Sequence, residues 1–253
     1  MDFRYFIFDL DGTLLDSMGI WDEIDVKYLA KRGIELPADY QQAVTPMETY
    51  EIAEYSIRRF GLSDTPEELV AEWREMAGDA YRNTLQIFPF VKETVSLLYR
   101  KGIPMAVATS SDHSFAEPAL ERNGILSMFQ AVVTAADVGK GKKSPEIYYR
   151  AAELLGAKPE EVWVVEDIPE AIETAANAGF RTMAVFDPES RHSAYSESDI
   201  SIAEWQHAGM DPDKWTVHKE EQQRIKEEKW AGSKADLFVS SFEDIWKLID
   251  ERE

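Results

Sequence analysis

The sequence contains no cysteine, which excludes disulfide bonds, thiolate metal ligands and a cysteine nucleophile. It also lacks any run of about 18 uninterrupted apolar residues, the length that a membrane-spanning helix requires. The first apolar stretch, Phe3–Phe8, follows no basic segment and meets acidic residues too soon for a signal peptide. These absences favour a cytoplasmic protein, which is the localisation that we predict.

Positive charge is scarce as well. The chain has 27 Lys and Arg residues against 48 Asp and Glu residues, so its formal net charge is −21. Nucleic acids and anionic membrane surfaces are bound through Lys and Arg, so we expect neither as a partner. This background would also repel a phosphorylated ligand, so any site for one must contain a cationic side chain of its own.

Short apolar runs alternate with helical patterns along most of the chain, which predicts an α/β protein. With 253 residues, of which 44% are hydrophobic, the chain can form one large domain or a core with an insert. Strands that alternate with helices imply right-handed crossovers and a parallel sheet covered on both faces. The predicted strands are Phe3–Phe8, Ile103–Ala108, Ala131–Val133, Val162–Val165, Thr182–Phe186 and Asp236–Ser240.

Two regions break this alternation. After the first strand, helical patterns over Met18–Arg32, Pro46–Phe60 and Pro66–Thr84 include no strand, so this region is interpreted as a helical insertion. A polar segment over residues 187–234 is rich in Glu, Lys and Ser, and its run His218–Trp230 has the charge alternation of an exposed helix. We expect a second insert there, whose role the sequence does not define.

Side chains with catalytic or ligand-binding chemistry follow four of the predicted strands. In a parallel sheet such groups collect beyond the carboxyl ends of the strands. A hydroxyl, a lysine and several carboxylates at neighbouring strand ends describe a Mg²⁺-assisted phosphoryl-transfer site. In chain order these residues are Asp9 and Asp11; Thr109, Ser110 and Ser111; Lys140, Lys142 and Lys143; and Glu166 and Asp167.

The pair Asp9 and Asp11 needs a cation or a shared proton, because two carboxylates that are held together repel each other. Residues two apart on a strand point to the same side, so we expect both side chains in one site. The first motif alone also allows a capping turn that leads into a helix. For Thr109 and Lys142 the corresponding alternatives are a turn residue and a solvated cation.

The four stretches, in this order and spacing, resemble the motifs of the haloacid dehalogenase superfamily. Asp9-Leu10-Asp11-Gly12-Thr13 is similar to the first motif and Thr109 to the second. Lys142 is similar to the third and precedes Lys143-Ser144-Pro145-Glu146, in which glutamate replaces the more usual aspartate. Glu166-Asp167 is similar to the fourth. The resemblance points to the branch of β-phosphoglucomutase-like and phosphoglycolate-phosphatase-like enzymes.

The resemblance implies a Rossmann-like core, a three-layer α/β structure with a parallel sheet, and an inserted α-helical cap domain. Residues 1–16 and 87–253 would form the core, including the polar insert at about 187–234. Residues 17–86 would form the cap. The motifs extend from the first strand to about Phe186, so the resemblance says nothing about the insert that follows.

The resemblance also implies roles for individual residues. Asp9 would be the nucleophile that carries an aspartyl phosphate, and Asp11 the general acid and base. Thr109 would hydrogen-bond a phosphoryl oxygen, and Lys142 would offset negative charge on the phosphoryl group. Further contacts to the substrate would come from Gly12, Ser110 and Trp21.

The cofactor that the resemblance implies is Mg²⁺. It would be held by Asp9, the backbone carbonyl of Asp11 and Asp167, with Glu166 beside the metal. Water molecules would complete the octahedral shell, because Mg²⁺ keeps several waters in protein sites.

The predicted reaction is the hydrolysis of a small phosphorylated metabolite. In mutase-type members of the branch, a histidine and an arginine of the cap position a sugar phosphate. Trp21 occupies the histidine position here, and the stretch Thr45–Glu48 offers no arginine. A phosphomutase of the β-phosphoglucomutase type, and a non-catalytic phosphate-binding or partner-binding protein that uses residues 187–234, stay as alternatives. The oligomeric state is left open, and a monomer is compatible with the sequence.

Overall fold

The computed structural model describes residues 2–44, 47, 49–185, 230 and 232–250. The chain separates into two compact units, Met1–Met18 with Gln86–Glu253 and, as the second unit, Gly19–Leu85. Among the described residues, no helix combines the length and the apolar character that crossing a membrane requires.

Some of the sequence predictions lie outside the described residues. They are the start of the helix Pro46–Phe60, most of the polar segment 187–234 with its helix His218–Trp230, and the last residue of the strand Thr182–Phe186. Trp230 at the end of the polar segment is described. Its side chain is buried against Ile172 and Ala184 of the first unit.

The first unit contains a six-stranded sheet in which every pair of neighbouring strands is parallel. The strands are β1 (Tyr5–Phe8), β2 (Met105–Thr109), β3 (Ala131–Thr134), β4 (Val162–Glu166), β5 (Arg181–Val185) and β6 (Leu237–Val239). Their order across the sheet is β3-β2-β1-β4-β5-β6. The α/β fold with a parallel sheet, predicted from the sequence, is therefore confirmed.

The helices flank the strands in the first unit and make up the second unit. They are α1 (Ile20–Ala30), α2 (Tyr40–Val44), α3 (Thr49–Phe60), α4 (Pro66–Asn83), α5 (Val91–Arg100), α6 (His113–Arg122), α7 (Ala135–Val138), α8 (Glu146–Leu155), α9 (Pro169–Asn177) and α10 (Phe242–Asp250). The short helices α2 and α7 are not predicted by the sequence patterns, because one or two turns carry too little periodicity to detect.

The central strands are buried on both faces. All residues of β2 and β4 are buried, and β1 is buried from Phe6 onwards. Successive side chains of a strand point to opposite faces, so continuous burial requires a cover on each side of the sheet. Part of that cover comes from α8, which packs on β1, β2 and β3, and from α9, which packs on β4 and β5.

The second unit is helical in its described part, as the sequence predicts. At the start of α4, Thr65 and Glu68 form a capping box, in which each side chain accepts a hydrogen bond from the other residue's backbone N–H. The Arg32 guanidinium, just after α1, donates to Asp64 at 2.6 Å and to Glu72 at 2.7 Å. These contacts fix α1 against α4. The role of this unit as a cap stays a prediction.

The two connections to the helical segment are paired with each other inside the first unit. The backbone N–H of Asp16 donates to the carbonyl of Gln86 at 3.0 Å, and that of Phe88 donates to the carbonyl of Leu14 at 3.0 Å. Leu15 and Ile87 form an antiparallel bridge between these bonds. The chain therefore leaves and rejoins the first unit at one place.

The order of the strands decides where the predicted site residues lie. β1 lies between β2 and β4, with Phe8 beside Val107 on one side and Val165 on the other. All three strands run in the same direction, so their carboxyl ends are neighbours. The residues that follow β1, β2 and β4 are consequently brought to one edge of the sheet.

Truncation of Ile7 tests the packing of the central strand. This side chain is fully buried in the cluster that includes Val164 and Tyr148. We expect Ile7→Val to lower the free energy of unfolding by about 1 kcal/mol and Ile7→Ala by about 2–5 kcal/mol, because the second change leaves the larger cavity. Urea denaturation followed by circular dichroism measures both. Val26→Ala, at a half-exposed position of α1, is the control, and equal stabilities for all three variants would contradict the packing.

Candidate active site

A closed turn follows β1 and carries the two aspartates of the first motif. The strand ends at Phe8, and the N–H groups of Leu14 and Leu15 both donate to the carbonyl of Leu10, at 2.9 and 2.8 Å. The expectation that alternation along a strand places both carboxylates is therefore corrected. The turn, and not the strand, positions Asp11.

Gly12 occupies a position in this turn where a side chain would not fit. Its φ is +83°, a left-handed conformation that residues with a Cβ rarely adopt. A Cβ at this position would lie 2.6 Å from Oδ2 of Asp167. Glycine therefore permits the close approach of Asp167 to the turn. The predicted backbone contact of Gly12 with a substrate stays a prediction.

Asp9 is buried at the centre of the site, with 4% of its surface exposed. Its Oδ1 is paired with the Lys142 ammonium, and its Oδ2 accepts a hydrogen bond from Thr13 Oγ1 at 3.2 Å. Burial raises the pKa of Asp9, repulsion by Glu166 raises this pKa further, and Lys142 opposes the rise without cancelling it. Both oxygens of the carboxylate are thus held in place.

Lys142 joins two of the carboxylates. Besides its pair with Asp9, its Nζ lies 2.6 Å from Oε1 of Glu166, and only 10% of the side chain is exposed. Burial alone would lower the pKa of Lys142, but attraction to both carboxylates outweighs burial and raises it. The lysine is therefore a buried, charged group that belongs to the site, and the alternative of a solvated loop cation is excluded.

The loop that carries Lys142 is anchored at the start of α8. The carboxylate of Glu146 accepts hydrogen bonds from Lys140 and Ser144, and these bonds lower the pKa of Glu146 to about 2. Lys140 and Lys143, which the sequence places beside Lys142 among the candidate residues, are exposed. Glu146 thus fixes both ends of the short segment around Lys142.

Glu166 and Asp167 follow directly at the end of β4. Glu166 is fully buried, and its Oε1 accepts hydrogen bonds from Tyr148 Oη at 2.8 Å and from Lys142. Its Oε2 is buried too and has no hydrogen-bond partner among the described residues. Burial raises the pKa of Glu166, although Lys142 acts in the opposite direction.

The acidic cluster formed by Asp9, Glu166 and Asp167 fits a divalent cation. Within the described part of the chain, these are the three side chains whose ligand atoms all lie within 4.8 Å of one another. Carboxylate oxygens are the ligands that Mg²⁺ prefers. The cluster holds three carboxylates against the single ammonium of Lys142, and the Oε2 of Glu166 is buried without a donor. A cation bound there would relieve both the charge excess and the unsatisfied oxygen.

Two serine hydroxyls hold the Asp11 carboxylate. Ser17 Oγ donates to Oδ1 and Ser111 Oγ donates to Oδ2, each at 2.7 Å. Ser17 belongs to the segment that leads out of the first unit, and Ser111 follows β2. The Asp11 carboxylate is therefore fixed independently of the Asp9 carboxylate, which pairs with Lys142 and Thr13.

Thr109 lies at the end of β2 and is fully buried. Its Oγ1 accepts a hydrogen bond from the backbone N–H of Ser111 at 3.0 Å. This bond uses a lone pair of the oxygen and leaves the O–H free to donate to a ligand. The next residue, Ser110, is exposed. Trp21 belongs to the second unit, where 51% of its surface is exposed, and its role as a substrate contact stays a prediction.

Three residues that the sequence did not single out, Thr13, Ser17 and Tyr148, contact the predicted site residues. Thr13 and Ser17 lie inside or next to the stretch after β1, so proximity to the first motif was the available signal. Tyr148 has no such signal, because its place on the apolar face of α8 marks it as a core residue. Its hydroxyl contact becomes visible only in the folded chain.

Comparison with known proteins agrees with this geometry. The family model described as haloacid dehalogenase-like hydrolase matches residues 6–185. A validoxylamine A 7'-phosphate phosphatase of Streptomyces hygroscopicus is 26% identical over 212 residues, which are 82% of this chain and 99% of that protein. The pyrophosphatase PpaX of Bacillus cereus is 31% identical over 182 residues, which are 71% of this chain and 81% of that protein.

A solved structure extends the likeness to the fold. A Thermotoga maritima protein assigned as a β-phosphoglucomutase aligns with 99% of this chain and 100% of its own, with a TM-score of 0.73 and 23% identity. The family model and the relatives confirm the resemblance drawn from the four motifs and the expected class of enzyme, a phosphoric monoester hydrolase. The solved structure bears on the fold alone.

Alanine at position 12 tests the close approach of Asp167 to the turn. We expect Gly12→Ala to weaken Mg²⁺ binding by about tenfold or more, because the new Cβ must displace a carboxylate of the cluster. The matched control is Gly102→Ala, which has a similar φ of +69° but no atom within 4 Å of the new Cβ. Both variants should lose about 1 kcal/mol of stability through backbone strain. Calorimetric titration with Mg²⁺ separates them, and equal affinities would contradict the steric account.

Proposed function

The chain belongs to the haloacid dehalogenase-like hydrolase family, and from this premise we propose that it hydrolyses a small phosphomonoester through a phosphorylated Asp9. The observation that carries the proposal is the buried Asp9 carboxylate, held by Lys142 and Thr13 beside the Glu166–Asp167 pair. Such a carboxylate is a fixed nucleophile, and the neighbouring lysine can offset the charge of a phosphoryl group. The proposed substrate is a phosphorylated metabolite, and the proposed location is the cytoplasm.

In the first step, a carboxylate oxygen of Asp9 attacks phosphorus, and the bond between phosphorus and the ester oxygen breaks. The product is an acyl phosphate on Asp9 and a free alcohol. In the second step, water attacks the same phosphorus, and the carboxylate of Asp9 leaves with inorganic phosphate as the product. Splitting one displacement into two removes the need to position water and substrate together.

Asp11 is the proposed general acid and base. It donates a proton to the departing ester oxygen in the first step and takes a proton from the attacking water in the second. The hydrogen bonds from Ser17 and Ser111 hold this carboxylate in one orientation, so the same group can serve both steps.

The remaining residues stabilise the phosphoryl group as it moves. The Thr109 hydroxyl is proposed to donate to one phosphoryl oxygen, and the Lys142 ammonium to offset negative charge between the phosphoryl group and Asp9. Gly12 and Ser110 are proposed to add backbone contacts to the substrate. Trp21 is the proposed contact of the helical unit with the rest of the substrate.

Mg²⁺ is the proposed cofactor. Asp9, the backbone carbonyl of Asp11, and Asp167 would hold the ion, with Glu166 beside it. When bound, it would neutralise charge on the phosphoryl oxygens, which is the usual contribution of a metal ion to phosphoryl transfer. Among the described residues, Lys142 supplies one positive charge beside the three carboxylates of the cluster, which supports a cation at this place.

Hydrolysis is favoured over the phosphomutase alternative by Trp21, which stands where mutases of this branch carry a histidine. The two relatives described above are named as a phosphatase and a pyrophosphatase. The β-phosphoglucomutase assignment belongs to a protein that is 23% identical, and that likeness bears on the fold alone. The non-catalytic alternative has little to support it, since every proposed catalytic position is occupied by a suitable side chain.

Phosphate release from a panel of sugar, polyol, nucleoside and carboxylic acid phosphates, with Mg²⁺ present, tests the proposal. We expect release from at least one compound and a loss of at least about 10³-fold in Asp9→Asn, because the amide cannot form the acyl phosphate. Asp2→Asn, at an exposed position, is the matched control and should keep full activity. The proposal fails if no compound is hydrolysed faster than by Asp9→Asn. A sugar phosphate that isomerises without net release would instead identify a mutase.

Asp11→Ala separates the two chemical steps. We expect turnover to fall by about 10²–10⁴-fold, because the general acid and base is lost. With p-nitrophenyl phosphate the leaving group needs no proton, so the first step should survive and release a burst of p-nitrophenolate equal to the enzyme concentration. Stopped-flow absorbance measures the burst. An Asp11→Ala variant that turns over alkyl phosphates at the normal rate would exclude this role.

A further inference from the structure

The Tyr148 hydroxyl is a polar group placed inside the apolar core. Tyr148 lies on α8 with 1% of its surface exposed, in the cluster that contains Ile7 and Val164, and its ring lies 6.0 Å from that of Phe180. A buried phenol needs a hydrogen-bond partner. It finds one in Oε1 of Glu166, at 2.8 Å.

Phenylalanine would fill the same volume without burying a hydroxyl. The packing of α8 on the sheet therefore accounts for the ring of Tyr148 but not for its oxygen. The hydroxyl of Tyr148 donates a hydrogen bond to the carboxylate of Glu166. A role for the hydroxyl must act through that contact.

The two oxygens of Glu166 have different surroundings. Oε1 accepts from Tyr148 and from Lys142, which lies at 2.6 Å, whereas Oε2 is buried with no hydrogen-bond partner among the described residues. The terminal torsion of a glutamate is broad and nearly two-fold, so it does not by itself decide which oxygen faces which neighbour. The two donors at Oε1, Tyr148 and Lys142, fix the orientation of the Glu166 carboxylate.

Lys142 alone does not fix the orientation of the Glu166 carboxylate, because Asp9 competes for the same ammonium. If Glu166 depended on Lys142 only, any shift of the lysine towards Asp9 or towards a phosphoryl group would release the Glu166 carboxylate. Tyr148 approaches from α8, and its hydroxyl donates a hydrogen bond to Glu166. This hydrogen bond to Glu166 therefore persists when Lys142 moves.

We propose that Tyr148 is a positioning residue of the cation site: by donating to Oε1 of Glu166, it keeps Oε2 available to a divalent cation bound with Asp9 and Asp167. The proposal rests on the proposed function only for the existence of that cation site. It makes Mg²⁺ affinity depend on a hydroxyl that touches neither the cation nor the substrate.

Calorimetric titration of the metal-free protein with Mg²⁺ tests the proposal without a substrate. We expect Tyr148→Phe to raise the Kd for Mg²⁺ by about tenfold, because loss of a residue that orients a metal ligand typically weakens binding 10–100-fold. The matched control is Tyr149→Phe, the next residue of α8, which is 44% exposed and whose hydroxyl donates to the Ala178 carbonyl at 3.3 Å. Its Kd should stay within about twofold of the wild-type value.

A double-mutant cycle shows whether the effect passes through Glu166. In a Glu166→Gln background, Tyr148→Phe should cause no further loss of Mg²⁺ affinity, because the carboxylate that it positions is absent. Thermal unfolding of the metal-free variants detects a purely structural effect, which would lower the midpoint and leave the Kd unchanged.

Three results would overturn the proposal. They are a wild-type Kd in Tyr148→Phe, an equal loss in Tyr149→Phe, and a full tenfold loss that persists in the Glu166→Gln background. Failure of the proposed function looks different, since wild-type protein would then release no phosphate from any compound while the Mg²⁺ titrations still give their own answer.

Discussion

The buried ammonium of Lys142, shared between Asp9 and Glu166, is the interaction on which the rest of the site depends. Either carboxylate buried alone would carry a large desolvation cost, and so would the lysine. Together they form a charged group in the interior that still holds more negative than positive charge. A buried carboxylate thus lies next to a place where a cation fits. The anchoring of the lysine loop by Glu146 matters for the same reason, because a displaced ammonium would leave two buried anions unpaired.

The sheet brings together residues that are far apart in the chain. Asp9 and Lys142 are separated by 133 residues, and Asp11 and Ser111 by 100. The order β3-β2-β1-β4 makes their positions neighbours, because parallel strands end at the same edge. Local hydrogen bonds then give Asp9 and Asp11 different partners. The turn after β1 presents Asp9 to Lys142 and Thr13, and presents Asp11 to two serines. The turn after β1 thus gives the two carboxylates different surroundings.

The strand ends of the site were predictable from the sequence, because buried parallel strands are read as short apolar runs and polar residues directly after them stand out. The choice between neighbours was not predictable. Ser111, and not Ser110, bonds Asp11, and this depends on how the chain turns after Thr109. Tyr148 was not predicted for a second reason. The apolar face of a helix does not indicate which group the hydroxyl of a tyrosine will contact. Whether Trp21 contacts a substrate depends on how the two units are arranged. The hydrophobic periodicity of the sequence does not predict that arrangement.

The paired connections around Leu15 and Ile87 allow the helical segment to be exchanged during evolution. The residues on either side of the helical segment are already hydrogen-bonded partners, so the first unit's backbone pairing is complete without anything between them. A segment inserted between adjacent residues adds no new crossing to the sheet and leaves its topology intact. Such a position accepts replacement of one helical module by another, of different length and sequence, while the chemistry of the first unit is inherited unchanged. Related enzymes can in this way diverge in what they recognise without re-evolving how they react.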